Sequence, residues 1–299
     1  MQHPDTSQRF MIDNSAIRGE WCLLESTFQT VMAKHDYPLE IQNLLGEMMA
    51  AAVMLSSTLK FEGRLTLQAR SKGPLEFATV ECTHDKHLRA VARWKGDIEG
   101  FNFSQLMESA QLAITIEPTK GASYQGVVAL EHDNLSQCLE FYFKQSEQIE
   151  TRIWLNQGTG KAAGLMIQVL PFNATDSATA GRSEADQAED WNRAVALADT
   201  LTAEEHLSIS AEDLLYRLYH EENVRIFPAQ PIDFKCTCSR ERMSKALISV
   251  GIEELNRILS EQELISITCE FCNTSHNFDK VDVPMLFEPT NPDNDEHTH

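Results

Sequence analysis

Long apolar runs are missing from this chain. No stretch of its 299 residues approaches the ~20 continuous apolar residues of a membrane span, so no membrane partner is expected. The opening residues Met1-Gln2-His3-Pro4-Asp5 lack a basic n-region and an apolar h-region, which argues against a secretory leader. A cytoplasmic location is therefore expected, and sequons such as Asn134-Leu135-Ser136 are chance matches. Cations are scarce: 25 Lys and Arg face 45 Asp and Glu, a formal charge of -20. Phosphate backbones are bound by Lys and Arg that neutralise them, so such a field repels nucleic acid and anionic lipid. The common catalytic signatures are absent too. There is no G-x-G-x-x-G, no P-loop, no G-x-S-x-G and no H-E-x-x-H. His35, His84, His87 and His132 stand singly, each fitting a surface or capping role better than a ligand role. The expectation is a protein that is not an enzyme.

What is present is a cluster of thiols. Of seven cysteines, four fall within Cys236–Cys272. A secreted disulfide framework would spread them along the chain, whereas clustered cysteines in a cytosolic chain point to metal or redox chemistry. Phe234-Lys235-Cys236-Thr237-Cys238-Ser239-Arg240-Glu241-Arg242 is answered, after a 30-residue insert, by Thr268-Cys269-Glu270-Phe271-Cys272.

Ahead of the cluster, Ile12 to Phe172 alternates strand-like text with two helices. After Pro38, which suits a first helical turn, Ile41, Leu44, Leu45, Met48, Met49, Ala52 and Val53 recur at helical spacing and predict a wide apolar stripe. A buried core helix is the favoured reading; an adaptable client-binding face at Met48 and Met49 is the lesser one. Strands are expected at Arg64–Ala69, Leu75–Cys82, Leu88–Trp94, Leu112–Glu117, Tyr124–Leu130, Arg152–Leu155 and Gly164–Val169, divided by turn signals such as Lys72-Gly73-Pro74. Their spacing predicts antiparallel hairpins in an α+β domain. A second helix is expected over Leu135–Ser146, with Cys138 on its apolar face. Cys138, Cys22 and Cys82 are all read as buried structural thiols.

Composition shifts at Asn173, where residues 173–184 are small and polar and predict a flexible link. Helical text follows. Trp191, Val195, Leu197, Ala198 and Leu201 form a loose stripe, and Thr202–Glu205 and Ser210–Asp213 have the form of capping boxes. A second stripe carries Leu214, Leu215, Leu218 and Tyr219. Between Thr179 and Gln230 there are eleven acidic residues and four Arg. Short helices with so much like charge are marginal alone and depend on docking to a neighbour, which makes local unfolding cheap. The domains expected are 1–172 (sheets and helices), 173–230 (a metastable helical linker), 231–289 (a small thiol module) and 290–299 (a polar tail).

Alternate residues of a strand face one side, so Cys236 and Cys238 are expected on an extended strand. Ser239 then caps a helix carrying Met243, Ala246, Leu247 and Val250 that stops at Gly251. A strand over Leu264–Thr268 delivers Cys269, and the C-x-x-C turn delivers Cys272. Four thiolates satisfy one tetrahedral zinc ion, which predicts the ligand set Cys236, Cys238, Cys269 and Cys272 and leaves His276 outside it. Lys235, Arg240, Arg242 and Lys245 are expected either to favour thiolate and hence oxidation or to balance the charge of the site. The residues alone leave four roles open: structural staple, nucleic-acid module, enzyme site or redox switch.

These motifs resemble the zinc site of the bacterial heat-shock protein 33 family, the redox-regulated 33 kDa chaperones. The resemblance extends to Ile17-Arg18-Gly19-Glu20, His35-Asp36-Tyr37-Pro38, Tyr124-Gln125-Gly126-Val127-Val128 and Arg217-Leu218-Tyr219-His220-Glu221-Glu222, and so to nearly the whole chain. It implies an ATP-independent holdase, inactive while reduced and bound to one zinc ion per chain. Oxidative stress would form disulfides Cys236–Cys238 and Cys269–Cys272, release the zinc, and unfold the thiol module and linker. The resemblance further implies homodimerisation on activation through the first domain, binding of unfolded clients there, and hand-over to ATP-dependent foldase chaperones. Met243 stands where some relatives have a further cysteine. Of the two implied disulfides, Cys269–Cys272 is expected to close first. A C-x-x-C turn meets disulfide geometry easily, while a C-x-C pair on a straight strand needs backbone distortion.

Two other classes compete. A zinc-ribbon nucleic-acid binder requires a basic face, but Pro231–Pro289 holds ten acidic and six basic residues. A thiol–disulfide oxidoreductase requires C-x-x-C opening a helix in a βαβ unit, whereas Cys272 is followed by the turn-like Asn273-Thr274-Ser275-His276.

Overall fold

The computed structural model describes residues 5–13, 15–58, 62–170 and 183–287. Most of the link expected at 173–184, and the tail expected at 290–299, lie outside the described residues. Two compact units are present, Met1–Lys235 and Cys236–His299.

Chain order in the first unit is β1 (Thr6–Ile12), β2 (Ile17–Leu24), α1 (Ser26–Met32), α2 (Leu39–Ser57), β3 (Gly63–Arg70), β4 (Leu75–Thr83), β5 (His87–Trp94), α3 (Phe103–Leu106), β6 (Gln111–Pro118), β7 (Tyr124–Ala129) and α4 (Leu135–Tyr142). A π-helical turn, Phe143–Glu147, follows, then β8 (Thr151–Gly158), β9 (Lys161–Val169), α5 (Glu184–Ala198), α6 (Ala203–Ser208), α7 (Ala211–Tyr219), β10 (Val224–Ile226), β11 (Gln230–Pro231) and β12 (Asp233–Phe234). The strands build two sheets. One has the order β10-β1-β2-β9-β8 with β11 also on β1, the other β12-β5-β4-β3-β6-β7. Every pairing is antiparallel except β12 on β5. The α+β expectation holds, and all seven expected strands are present within two or three residues of their expected ends.

Sheet and helix meet at α2. The expected buried core helix is present, and its burial extends beyond the apolar stripe: every residue from Met48 to Ser57 is buried. The helix packs on strands of both sheets, so it has no solvent side along this stretch. Met48 and Met49 are at 0% exposure and offer no client face in this state. The C-terminal end of α2 is held by a lysine. Lys86, only 2% exposed, donates from Nζ to Val53 O (3.1 Å), to Ser56 Oγ (2.8 Å) and to Ser57 Oγ. A cation suits the negative end of a helix. Burial pushes the Lys86 pKa down, and Glu20, among its neighbours, works the other way.

The strand β1 and the helices α1 and α3 are not among the elements expected from the sequence, and β2 is not bounded as a strand there. The cap of α1 comes from far away in sequence. The Asp5 carboxylate accepts from the backbone N–H groups of Glu25, Ser26 and Thr27. At β1–β2, Phe10 sits opposite Gly19, where an added Cβ would come within 2.0 Å of the Phe10 ring. Only glycine leaves room for that ring.

The acidic helices α5 and α7 lie on the outer face of the first sheet. Ala194, Ala198, Leu214, Leu215, Leu218 and Tyr219 form one buried cluster with Phe10, Ile12, Ile17, Trp21, Leu165 and Ile167. Thr202 caps α6 with a complete capping box to Glu205. At α7 the expected box is half made, with Ser210 accepting from Asp213 N.

His206 on α6 is at 0% exposure, with Asn156 Nδ2 at 2.9 Å from its Nδ1. Burial lowers its pKa from 6.5 to about 4, opposed only by the backbone of Gly164. The imidazole is therefore neutral when folded, and the unfolded chain binds the proton first as pH falls. No stability is lost to this group above pH ~6.5. Between that pH and ~4 the chain is expected to lose up to about 3 kcal/mol, with a plateau below. Urea titrations at stepped pH check this, with His206→Gln expected to flatten that part of the profile. A mutant with the wild-type slope would show that other groups set it.

Candidate metal centre

The second unit opens on Cys236. Residues 236–239 form neither helix nor strand, so the expected extended strand for the C-x-C pair is not what the structure has. Strand pairing stops at Phe234, and residues 235–239 run outside any strand to the start of the next helix. Then come α8 (Arg240–Val250), α9 (Ile252–Glu261), β13 (Ile265–Thr268), β14 (Ser275–Phe278) and α10 (Asp282–Leu286). Ser239 caps α8 as expected, accepting from Arg242 N at 3.2 Å, and Gly251 ends it at φ 94°. The stripe expected on α8 is thinner in fact. Leu247 alone is fully buried there, and Val250 is half exposed. The core is small: Leu247, Leu255, Leu259, Ile265, Phe278 and Val283.

The second pair of cysteines sits in the β13–β14 turn. Cys269 N donates to Thr274 O (2.9 Å), Asn273 N donates to Cys269 O (2.8 Å), and Asn273 adopts a left-handed φ of 59°. Asparagine tolerates this conformation. The turn points both sulfurs the same way, so that they meet the C-x-C pair. Cys236 Sγ lies 3.6 Å from Cys269 Sγ, and Cys238 Sγ lies 3.4 Å from Cys272 Sγ. All four sulfurs fall within 4.8 Å of one another. Four sulfurs on one tetrahedral zinc at ~2.3 Å stand ~3.8 Å apart, so this donor set fits such an ion. Both of these approaches cross between the two motifs, whereas each of the disulfides implied by the resemblance lies within one motif.

Ionisation differs among Cys238, Cys269 and Cys272. Burial pushes Cys238 and Cys269 up. At Cys272 burial acts the same way, but hydrogen bonding with the Thr274 side chain and backbone and with Cys238 and Cys236 outweighs it, bringing the thiol to about 6. Three of the four cations expected to support thiolate have other partners. Arg240 pairs with Asp282 at 2.7 Å and lies 4.3 Å over the Phe278 ring. Arg242 donates to Thr237 Oγ1 at 2.6 Å, and Lys245 pairs with Glu241 at 3.0 Å. Thr274 and the Arg240–Asp282–Phe278 lock are the local supports that pattern reading passed over. His276 is not part of the sulfur group. Cys22, Cys82 and Cys138 are buried as expected, with burial pushing each thiol up. Among the described residues no helix is long and apolar enough to cross a membrane.

Comparison with known proteins covers the same ground. The family model described as "Hsp33 protein" matches residues 5–279. A 33 kDa chaperonin of Pseudomonas aeruginosa is 47% identical over 290 residues, spanning 96% of each chain. One from Nitrosococcus oceani is 42% identical over 287 residues, again 96% of each. The crystal structure of the 33 kDa chaperonin (heat shock protein 33 homolog) of Thermotoga maritima superposes with a TM-score of 0.80. It covers 95% of this chain and 98% of the other at 18% identity, and so speaks to the fold.

Proposed function

This chain belongs to the Hsp33 protein family, and from that premise we propose that it is a redox-regulated, ATP-independent holdase chaperone without enzymatic activity. The observation that carries the reading is the four-sulfur group of the second unit. Its donor chemistry and spacing suit one zinc ion, and its thiols are oxidisable. Cys236, Cys238, Cys269 and Cys272 would hold the ion. When bound, zinc would supply a cross-link between the two motifs and keep the thiols deprotonated.

On oxidation the four thiolates give up four electrons in two pairs. Two molecules of peroxide take up those electrons and four protons, and leave as water. The products are the disulfides Cys236–Cys238 and Cys269–Cys272, whose sulfurs carry no charge and no longer hold a cation. A core of six apolar side chains then has little to keep it folded. We place the switch module at 231–289 and the metastable linker at 173–230. The client-binding and dimerising body is placed at 1–172. Unfolding of α5–α7 would bare Phe10, Ile12, Ile17, Trp21, Leu165 and Ile167, the face those helices now cover. Apolar surface of this kind takes up unfolding clients with little sequence preference. Hand-over to ATP-dependent foldases, homodimerisation on activation and a cytoplasmic location complete the proposal.

The test is suppression of citrate synthase aggregation by reduced chain and by chain treated with peroxide at raised temperature, with zinc release followed in parallel. Activity only after oxidation, together with zinc release, is the expected result. Equal activity in both states, or activity with zinc retained, would contradict the switch.

A further inference from the structure

Two of the stretches that resemble the chaperone family, Ile17–Glu20 and Tyr124–Val128, play no part in the thiol chemistry. They meet at a cavity of about 590 Å³ in the first unit, to which Arg18 and Tyr124 both contribute. Its apolar walls come from α2 (Leu55), from the second sheet (Leu65, Ile114 and Ile116), and from the π-helical turn and the loop after it (Phe143 and Ile149), while the first sheet contributes Arg18 and Gln168. The volume lies in the ~300–1,000 Å³ range of small-molecule sites. Phe143 and Glu147 bound the π-helical turn, which closes on a left-handed Gln148 at φ 55°. Irregular turns of this type recur at functional sites.

The polar groups are placed asymmetrically. At the tyrosine side, the Glu147 carboxylate accepts from the hydroxyls of Tyr124 (3.2 Å) and Tyr142 (2.9 Å). At the other side stands Arg18. Its Nε and Nη2 both donate to one neutral acceptor, Gln168 Oε1, at 3.2 and 2.8 Å. Among the described residues no carboxylate reaches Arg18 within ion-pair distance, and its Nη1 donates to no protein atom. Burial, then the neighbouring Arg9, disfavour its charge, and Glu20 offsets this in part. In a chain of net charge -20, a half-buried guanidinium without an anion beside an apolar chamber is complementary to an anion that carries an apolar body. Lys120 also lines the cavity and adds to the positive field.

We propose that this cavity binds a single-chain aliphatic carboxylate, a long-chain fatty acid, with its head on Arg18 and its chain along the Leu55–Ile116 walls. Carboxylate and guanidinium form two parallel hydrogen bonds in such pairs. Gln168 orients the guanidinium and receives from it no competing charge. The site is separate from the sulfur group and does not depend on the redox reading.

The probe is cis-parinaric acid, followed by fluorescence with the full reduced chain and displaced by palmitate or by hexadecanol. One saturable site per chain is expected, with palmitate at least about tenfold stronger than hexadecanol, the gain of a charge-assisted pair. Arg18→Gln and Gln168→Glu should each weaken palmitate by about ten- to a hundredfold and leave hexadecanol unchanged. The second variant keeps the shape of the site but gives Arg18 an internal carboxylate, so it remains decisive if the first folds poorly. The proposal is overturned by non-saturable uptake, by equal affinity for acid and alcohol, or by palmitate binding that neither variant alters. Displacement of the probe by an unfolded apolar peptide, insensitive to both variants, would assign the cavity to clients and overturn it as well.

Discussion

Replacing Cys269 by Ser is expected to unfold the second unit outright while the first keeps its structure. Cys269 is the buried member of the sulfur group, and its backbone closes the turn that presents Cys272. The substituted site has three thiolates and a hydroxyl, a far weaker set for zinc. Structural zinc contributes an apparent ~10–16 kcal/mol in small modules, as much as the ~5–15 kcal/mol that keeps a whole domain folded. A unit with six buried apolar side chains has no comparable reserve. Amide exchange reads this directly. Protection over Ile265–Thr268 and Ser275–Phe278 should vanish in the mutant, while β2 and β9 retain theirs. Protected β13–β14 amides in a zinc-free Cys269→Ser chain would show that the core suffices without metal, and the latch role proposed for the ion would fall.

A second large effect is expected at Tyr219. Its ring is 1% exposed, lies 6.2 Å from the Phe10 ring, and its hydroxyl donates to Ala194 O at 3.2 Å. One side chain thus ties α7 to α5 and both to the sheet. Truncating a buried aromatic costs about 3–5 kcal/mol, and much of that should fall on the docking of α5–α7, whose acidic helices have little to hold them otherwise. Tyr219→Ala is expected to suppress aggregation under fully reducing conditions, with zinc still bound. Tyr219→Phe, which keeps the ring, should remain dependent on oxidant. A Tyr219→Ala chain that loses thermal stability yet stays inactive until oxidised would show that the face under α5–α7 is not where clients bind.

Some of this was legible in the residues. Strand-like runs divided by turn signals located β3 to β9, because turns announce themselves through local residue types such as Lys72-Gly73-Pro74. The candidate metal cluster was legible because metal donors must be specific residue types at short spacing, so Cys236, Cys238, Cys269 and Cys272 stand out before any fold is known, and the structure brings their sulfurs together. The cap at Ser239 and the stop at Gly251 were readable for the same reason, being local in sequence. The extended strand drawn through Cys236 and Cys238 was not correct, since strand pairing ends at Phe234 and nothing local marks that end. The buried helix α2 was legible from its apolar stripe, but the burial of its remaining sides depends on a second sheet that no window of sequence contains.

The sequence by itself determined the four-cysteine cluster, the acidic character of the 183–226 segment and the positions of seven strands, all of which follow from residue type and short-range spacing. Only the tertiary structure decided which faces are covered and which charges are left without partners. It placed α5 and α7 over Phe10, Trp21 and Leu165, reached from Asp5 to cap α1, sank Lys86 against the end of α2, and set Arg18 beside an apolar cavity with, among the described residues, no carboxylate within ion-pair distance. Each of these depends on atoms tens to hundreds of residues apart, and that proximity comes from packing, which a linear pattern does not encode.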